Sequence, residues 1–312
     1  MTSVLQAATL SPLVNGYNIS AGPPRTIVVP NASKLAPLQE STVTGTLLKK
    51  QLVTLDLHTG NRTAKLAANH GVYTITAGDG DLHFCLGTEQ LQPHIACELQ
   101  NAKAWLALFN QAVGTNISVT GFFRCLFEHP GFRVNDDAHC FEIHPVRAVT
   151  LNGQTHTFDV DVPDQAAIHT WTNPHPLNVQ DNRIKVKYDK VNDTLTFTEM
   201  DGEDENYVLV SGTISNVKIL PGGGPPSSFT LTSKDIGHPV QVYCMQGTSA
   251  SRQLQAIEGA GATDVDMVGL RNIDLEQALK NSYTINLLAI SIKETSGKLE
   301  SYPLTSPGAW MT

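Results

Sequence analysis

The chain is short of positive charge, of aromatic side chains and of organised cysteine. Lys and Arg together number 21 against 29 Asp and Glu, a net charge of −8 over 312 residues. The deficit is one-sided: residues 1–152 carry ten basic and ten acidic residues, and residues 153–312 carry eleven and nineteen. A protein that neutralises duplex phosphates needs a basic footprint. Neither half supplies one, which weighs against duplex DNA as a partner. Aromatic residues make up only 6%, which limits the stacking platforms that single-stranded nucleic acid requires. The five cysteines, Cys85, Cys97, Cys125, Cys140 and Cys244, are odd in number and form no CxxC pair. That pattern excludes a paired-thiolate zinc motif and argues against a disulfide framework. No apolar run approaches the ~20 residues of a membrane-spanning helix. Residues 1–18 carry no positive charge and no apolar core, unlike a secretory leader. These absences together describe a soluble, cytoplasmic protein with no membrane partner.

What is present is a hydrophobic fraction of 41%, enough for sizeable cores in two or three domains. Its periodicity is mostly two. Residues 1–40 read as an arm with a short strand at Thr26 to Val29. From residue 41 a series of strands follows. Leu47, Val53, Leu55 and Leu57 share one parity. Leu82, Phe84 and Leu86 alternate with Asp81, His83 and Cys85. Ile95, Cys97 and Leu99 alternate with His94, Ala96 and Glu98. A helix is expected over 101–112, with Asn101 as N-cap and Gly114 as stop. Val119, Gly121, Phe123, Cys125 and Phe127 form the next strand, and Phe141 and Ile143 begin the last. Strand, strand, strand, helix, strand, strand is the order of a five-stranded OB barrel. Residues 59–78 are extra to it, as an added hairpin or a long loop.

Residues 153–206 read as a connector containing a hairpin, with arms Ile184, Val186, Tyr188 and Leu195, Phe197 around Val191-Asn192-Asp193. A second barrel is expected over 207–295, with a tail over 296–312. Its short helix is expected around Leu275 and Leu279, capped by Asn272 or Asp274. A weak internal repeat supports this second copy: VTGTL at 43–47 and VSGTI at 210–214 both place a glycine early in a long strand, where a curled barrel strand bends. The fold class expected is mainly β, with two OB-like five-stranded antiparallel barrels, each with a short helix.

One constellation could carry chemistry. Asp81, His83, Glu98, Glu142 and His144 all take the parity opposite to the apolar series. They belong to strands that neighbour one another in an OB barrel, so alternation gathers them on one outer face. This is the candidate ligand face. Imidazole with carboxylate can hold a divalent metal or run acid–base chemistry. No metal and no other cofactor is expected; if there were a metal, His83, Glu98, Glu142 and His144 would bind it. A polar outer face is also what any half-exposed sheet presents, and Glu142 is expected to have a structural role. Cys140, near His139 and His144, lacks the helpers of a thiol nucleophile. Pro145 suggests a sheet edge or a bulge. No P-loop, Rossmann, GxSxG or HExxH signature occurs.

The segments DGDLHFCL (79–86), IACEL (95–99), VTGFFRCLFEHPG (119–131) and FEIHPVRAV (141–149) resemble an uncharacterised bacterial OB-fold family. Its pattern is Asp-Gly-Asp-x-His, a later Glu, a Gly-Phe-Phe strand and Glu-[Ile/Leu]-His-Pro-Val. The resemblance covers about residues 41–152 and falls on Asp79, Gly80, Asp81, His83, Glu98, Glu142, His144, Pro145 and Val146. It implies an OB-like fold for the first domain and implies no reaction. The insert 59–78 and the second domain depart from the pattern.

Two functions follow as expectations. The first is a non-catalytic binding or assembly module, whose ligand is a protein partner, a second copy of the chain, or single-stranded nucleic acid. For nucleic acid the first-domain candidates are Tyr73, Phe122 and Phe132 with Lys49, Lys50, Arg62, Arg124 and Arg133. The alternative is a metal-dependent hydrolase using the His/Glu/Asp patch of the first barrel.

Overall fold

The computed structural model describes residues 8–9, 18–19, 25–35, 38–53, 63–65, 72–74, 81–88, 95–100, 102, 105–128, 139–158, 160, 184–200, 207–220, 226–234, 236–260 and 263–295. The N-terminal segment contributes β1 (Ala8–Thr9), β2 (Asn18–Ile19) and β3 (Arg25–Pro30). The first barrel region contains β4 (Gln39–Val53), β5 (Thr63–Lys65), β6 (Val72–Thr74), β7 (Asp81–Gly87), β8 (Ile95–Leu99), α1 (Leu106–Ala112), β9 (Asn116–Glu128), β10 (His139–Leu151) and β11 (Gln154–Thr157). A hairpin follows, β12 (Lys185–Asp189) and β13 (Thr194–Met200). The second barrel is built from β14 (Tyr207–Lys218), β15 (Ser227–Thr232), β16 (Val240–Cys244), α2 (Ser249–Ala260), β17 (Asp264–Ile273), α3 (Leu275–Ala278) and β18 (Ile285–Glu294).

Both barrels close with the same topology. In the first, β4 pairs β7, β7 pairs β8, β8 pairs β10, β10 pairs β9, and β9 returns to β4. In the second, the ring runs β14-β15-β16-β18-β17. Each ring is antiparallel except where its third strand meets its fifth in parallel. That is the OB arrangement, and in each barrel a helix joins the third strand to the fourth. The fold is therefore mainly β with two OB-like barrels.

The two rings match residue by residue. Thr46 stands opposite Gly87 as Thr213 stands opposite Thr232, and Phe84 opposite Cys97 as Phe229 opposite Val242. Ile143 faces Cys97 as Leu287 faces Val242, and Arg124 faces Glu142 as Asn272 faces Asn286. Gly45 faces Ile117 as Gly212 faces Val265, so the correspondence holds all the way around the ring. The glycines of the VTGTL and VSGTI repeat occupy equivalent positions for one reason. A Cβ on Gly45 would lie 2.4 Å from the Gly87 carbonyl oxygen, and one on Gly212 would lie 2.5 Å from that of Thr232. The first strand curls so tightly onto the second that no side chain fits between them.

The cores follow from alternation. Val43, Leu47, Phe84, Leu86, Cys97, Val119, Phe123, Phe141 and Ile143 fill the first barrel, and Phe109 of α1 packs on Phe84 with ring centroids 5.0 Å apart. Val210, Ile214, Phe229, Leu231, Val242, Met267 and Leu287 fill the second. A third cluster joins the barrels through their fourth strands. Phe122 of β9 packs with Val268 and Leu270 of β17, together with Leu288 and Ile290. In the ring correspondence Phe122 and Leu270 are equivalent residues, so the barrels meet through the same outward position.

Several sequence expectations are corrected. The helix expected over 101–112 begins at Leu106, with Trp105 as its N-cap and no side-chain capping bond; Asn101 lies outside the described residues. Gly114, with φ +82, does terminate it. A bulge between Leu47 and Lys49 reverses parity along β4, so Leu52, not Val53, stands opposite Leu82; Leu55 and Leu57 lie outside the described residues. The helix of the second barrel is α2, while the turn at Leu275 and Leu279 links strands four and five. Asp274 is its N-cap, accepting from the Gln277 N–H. The strand β17 escaped the period-two reading because it is apolar on both faces, Met267 inward and Val268 and Leu270 toward the other barrel. The insert carries the antiparallel hairpin β5–β6. The arm and the connector, separate in sequence, share a sheet in the order β12-β13-β3-β2.

Asp193 secures that sheet. Its carboxylate accepts from the Ser33 N–H and hydroxyl at 2.8 and 2.7 Å and from the Tyr188 hydroxyl at 2.9 Å. Slight burial pushes its pKa up, but the bonds from Ser33 and Tyr188 outweigh this and hold it below 3.8. A depressed carboxylate stabilises the folded form above its unfolded pKa, and that contribution is lost as pH falls through the folded value. Hydrogen exchange should therefore show protection of the Ser33 amide collapsing on the acid side of about pH 4, and Asp193→Asn should weaken that protection at neutral pH. In urea denaturation, Gly45→Ala and Gly212→Ala should each destabilise the protein by roughly 1–3 kcal/mol through overpacking against backbone. An effect near zero at either glycine would contradict the close approach.

Candidate functional site

The outer face of the first barrel assembles most of the constellation expected from alternation. His83 stands opposite Glu98 across β7 and β8, and Glu142 opposite Ala96 across β10 and β8. His144, two residues beyond Glu142, lies on the same face. The fifth expected member, Asp81, begins β7 opposite Val53; its side chain lies outside the described residues.

The side chains form a continuous chain of contacts. His144 Nδ1 lies 3.2 Å from Glu98 Oε2 and 3.4 Å from Glu142 Oε1. His83 Nε2 lies 3.6 Å from Glu98 Oε2 at the outer end. At the inner end Arg124 donates through Nε to Glu142 Oε1. Arg124 was weighed in the sequence only as a nucleic-acid contact. Parity alone could have found it, since it alternates with Phe123 and Cys125 and stands opposite Glu142.

Burial is the unexpected property. The side chains of Arg124 and His144 are 0% exposed, Glu142 1% and Glu98 5%, while His83 retains 30%. The outer face of an isolated barrel would be wet. Here β9 turns its outer face toward the second barrel, where the Cys125 N–H donates to Asn272 Oδ1 at 2.7 Å. Pro145 sits in a bulge between Ile143 and Val146, and the Pro145 carbonyl oxygen would lie 2.4 Å from a Cβ on Gly121. The glycine of the Gly-Phe-Phe segment thus admits the bulge that precedes Val146.

Three groups offer donor atoms all within 4.8 Å of one another: Glu98, Glu142 and His144. The thiols offer no nucleophile here. Cys97 lies on the inner face of β8, and burial, with Cys85 and Glu142 nearby, pushes its pKa well up; burial does the same to Cys244. Cys85, Cys97, Cys125 and Cys244 are free and buried, and the side chain of Cys140 lies outside the described residues. Of the nucleic-acid candidates, Phe122 is 0% exposed in the joint between the barrels and Arg124 1% in the ion pair. Both are thereby removed from any binding face. The side chains of Tyr73, Phe132, Lys49, Lys50, Arg62 and Arg133 lie outside the described residues. Among the described residues no helix is long and apolar enough to cross a membrane.

Removing one partner of a buried pair strands the other's charge, at a cost of about 3–5 kcal/mol. Glu142→Ala should therefore lower stability by that order in urea denaturation. A variant within about 0.5 kcal/mol of wild type, the effect of an exposed substitution, would show that Arg124 is satisfied without Glu142.

No protein-family model matches the chain, and no curated protein matches it. Among solved structures, the single-stranded DNA binding protein from Thermus aquaticus is similar over 84% of this chain and 95% of that chain, at 10% identity and a TM-score of 0.20. A likeness of that depth carries no argument about activity, and the OB topology stands on the strand pairings of the chain itself.

Proposed function

We propose that this chain is a non-catalytic binding and assembly module that presents barrel surfaces to a protein partner, in the first instance a second copy of itself. The observation that carries this reading is the closure of the polar constellation. A hydrolase needs an open coordination position or a base that substrate can reach. Here the inner four groups are at most 5% exposed and already engage one another. The charge distribution agrees, because a half with net −8 repels phosphates. Leu48 and Val113, 52% and 44% exposed, are brought together at one end of the first barrel. The Leu47 N–H bonds the Thr115 carbonyl and the Gly114 N–H bonds the Leu47 carbonyl. They are small apolar contacts of the kind a partner covers.

Single-stranded nucleic acid is the competing ligand, since OB barrels bind it through the second and third strands and the loops around them. Native mass spectrometry and fluorescence anisotropy on the purified full chain separate the two. The expected result is a species heavier than the 33.7 kDa monomer, which Leu48→Glu shifts toward monomer. No binding of a thymidine 30-mer should appear below micromolar concentration at physiological salt. A strict monomer that binds the oligonucleotide tightly and with a salt dependence would replace this reading with the nucleic-acid one.

A further inference from the structure

We infer that Glu98, Glu142 and His144 of the first barrel bind a divalent transition-metal ion in a buried site. The inference goes beyond the proposed function and does not depend on it. Its first support is an internal comparison. The ring correspondence places Asn272 where Arg124 stands, Asn286 where Glu142 stands, Tyr243 where Glu98 stands and Ser228 where His83 stands. Asn272 Nδ2 donates to Asn286 Oδ1 at 2.7 Å, the neutral counterpart of the Arg124–Glu142 pair. The second barrel therefore fills the same pair of positions on strands four and five with neutral side chains. Buried ions carry a desolvation penalty that neutral pairs avoid. Since the fold closes with the neutral version, the charges of the first barrel answer to something other than closure.

The second support is spacing. Glu98, Glu142 and His144 each offer a donor atom, and these atoms all lie within 4.8 Å of one another. A single ion with bonds of about 2.0–2.2 Å can reach donors gathered that closely. An imidazole nitrogen with two carboxylates selects zinc, cobalt, manganese or iron over the alkaline-earth ions, which favour all-oxygen sites. Arg124, which donates to Glu142, takes the outer role of a group that orients a ligating carboxylate. His83, the most exposed member, stands on the solvent side of Glu98.

The test uses the full chain. The protein is stripped with EDTA, dialysed against cobalt(II) or zinc(II), and assayed by elemental analysis, visible absorption and thermal denaturation. The expected result is about one equivalent retained and a melting temperature several degrees higher with metal. Cobalt should add visible absorption bands that the stripped protein lacks. Arg124→Asn combined with Glu142→Asn transplants the second barrel's pair into the first. It should fold with the melting temperature of the metal-free wild type and bind at least tenfold more weakly. Wild-type protein that retains no ion, shows no cobalt bands and melts identically with EDTA would overturn the inference. The cobalt and EDTA measurements on wild type decide this even where the double variant does not fold.

Discussion

Closure of a five-stranded ring is the constraint on which the rest of this molecule depends. A closed ring ties the register of each strand pair to those of the others. In the first ring Thr46 stands opposite Gly87 and Gly45 opposite Ile117. The same closure recurs with Thr213, Thr232, Gly212 and Val265. It demands a sharp curl of the first strand, and the curl demands a glycine. This explains why VTGTL and VSGTI survive as a repeat while most other equivalent positions have diverged. Outside contacts can be met by many residue types, but the gap between Gly45 and the Gly87 carbonyl admits only one.

The second consequence of closure concerns what lies outside. A barrel spends its inward positions on its own core, so the outward positions of each strand are free for docking or for chemistry. The fourth strands divide this role along their length. Phe122 and Leu270 dock, while two residues further on Arg124 and Asn272 enter polar pairs. Docking and polar pairing are thus adjacent on one face, and the bond from the Cys125 N–H to Asn272 joins them.

This division also accounts for what the sequence revealed. Period-two patterning is legible where one face is apolar and the other is not, as in Leu82 to Leu86 and Ile95 to Leu99, and it placed His83, Glu98, Glu142 and His144 on a common face. It fails where both faces are buried. β17 carries Met267 inward and Val268 and Leu270 outward, so no alternation marks it as a strand. For α2 the signal was present, with buried Ala250, Leu254 and Ile257 at helical spacing. Arg124 was legible by parity but not by burial, since nothing in one strand's sequence says that another domain will cover it. Bulges such as that after Leu47 are likewise silent, because they are set by strand curvature.

The burial of the constellation links it to the docking of the barrels. Arg124 shares the outer face of β9 with Phe122, so the Arg124–Glu142 pair lies beside the joint between β9 and β17. Any cation or proton that binds the desolvated set more tightly than the solvated one must stabilise the docked arrangement by the same free energy. The neutral pair at Asn272 and Asn286 has no such linkage, because it carries no net charge whose binding changes with solvation. The two barrels thus use one position differently: the second joins its strands there through a neutral amide pair, and the first through a buried ion pair.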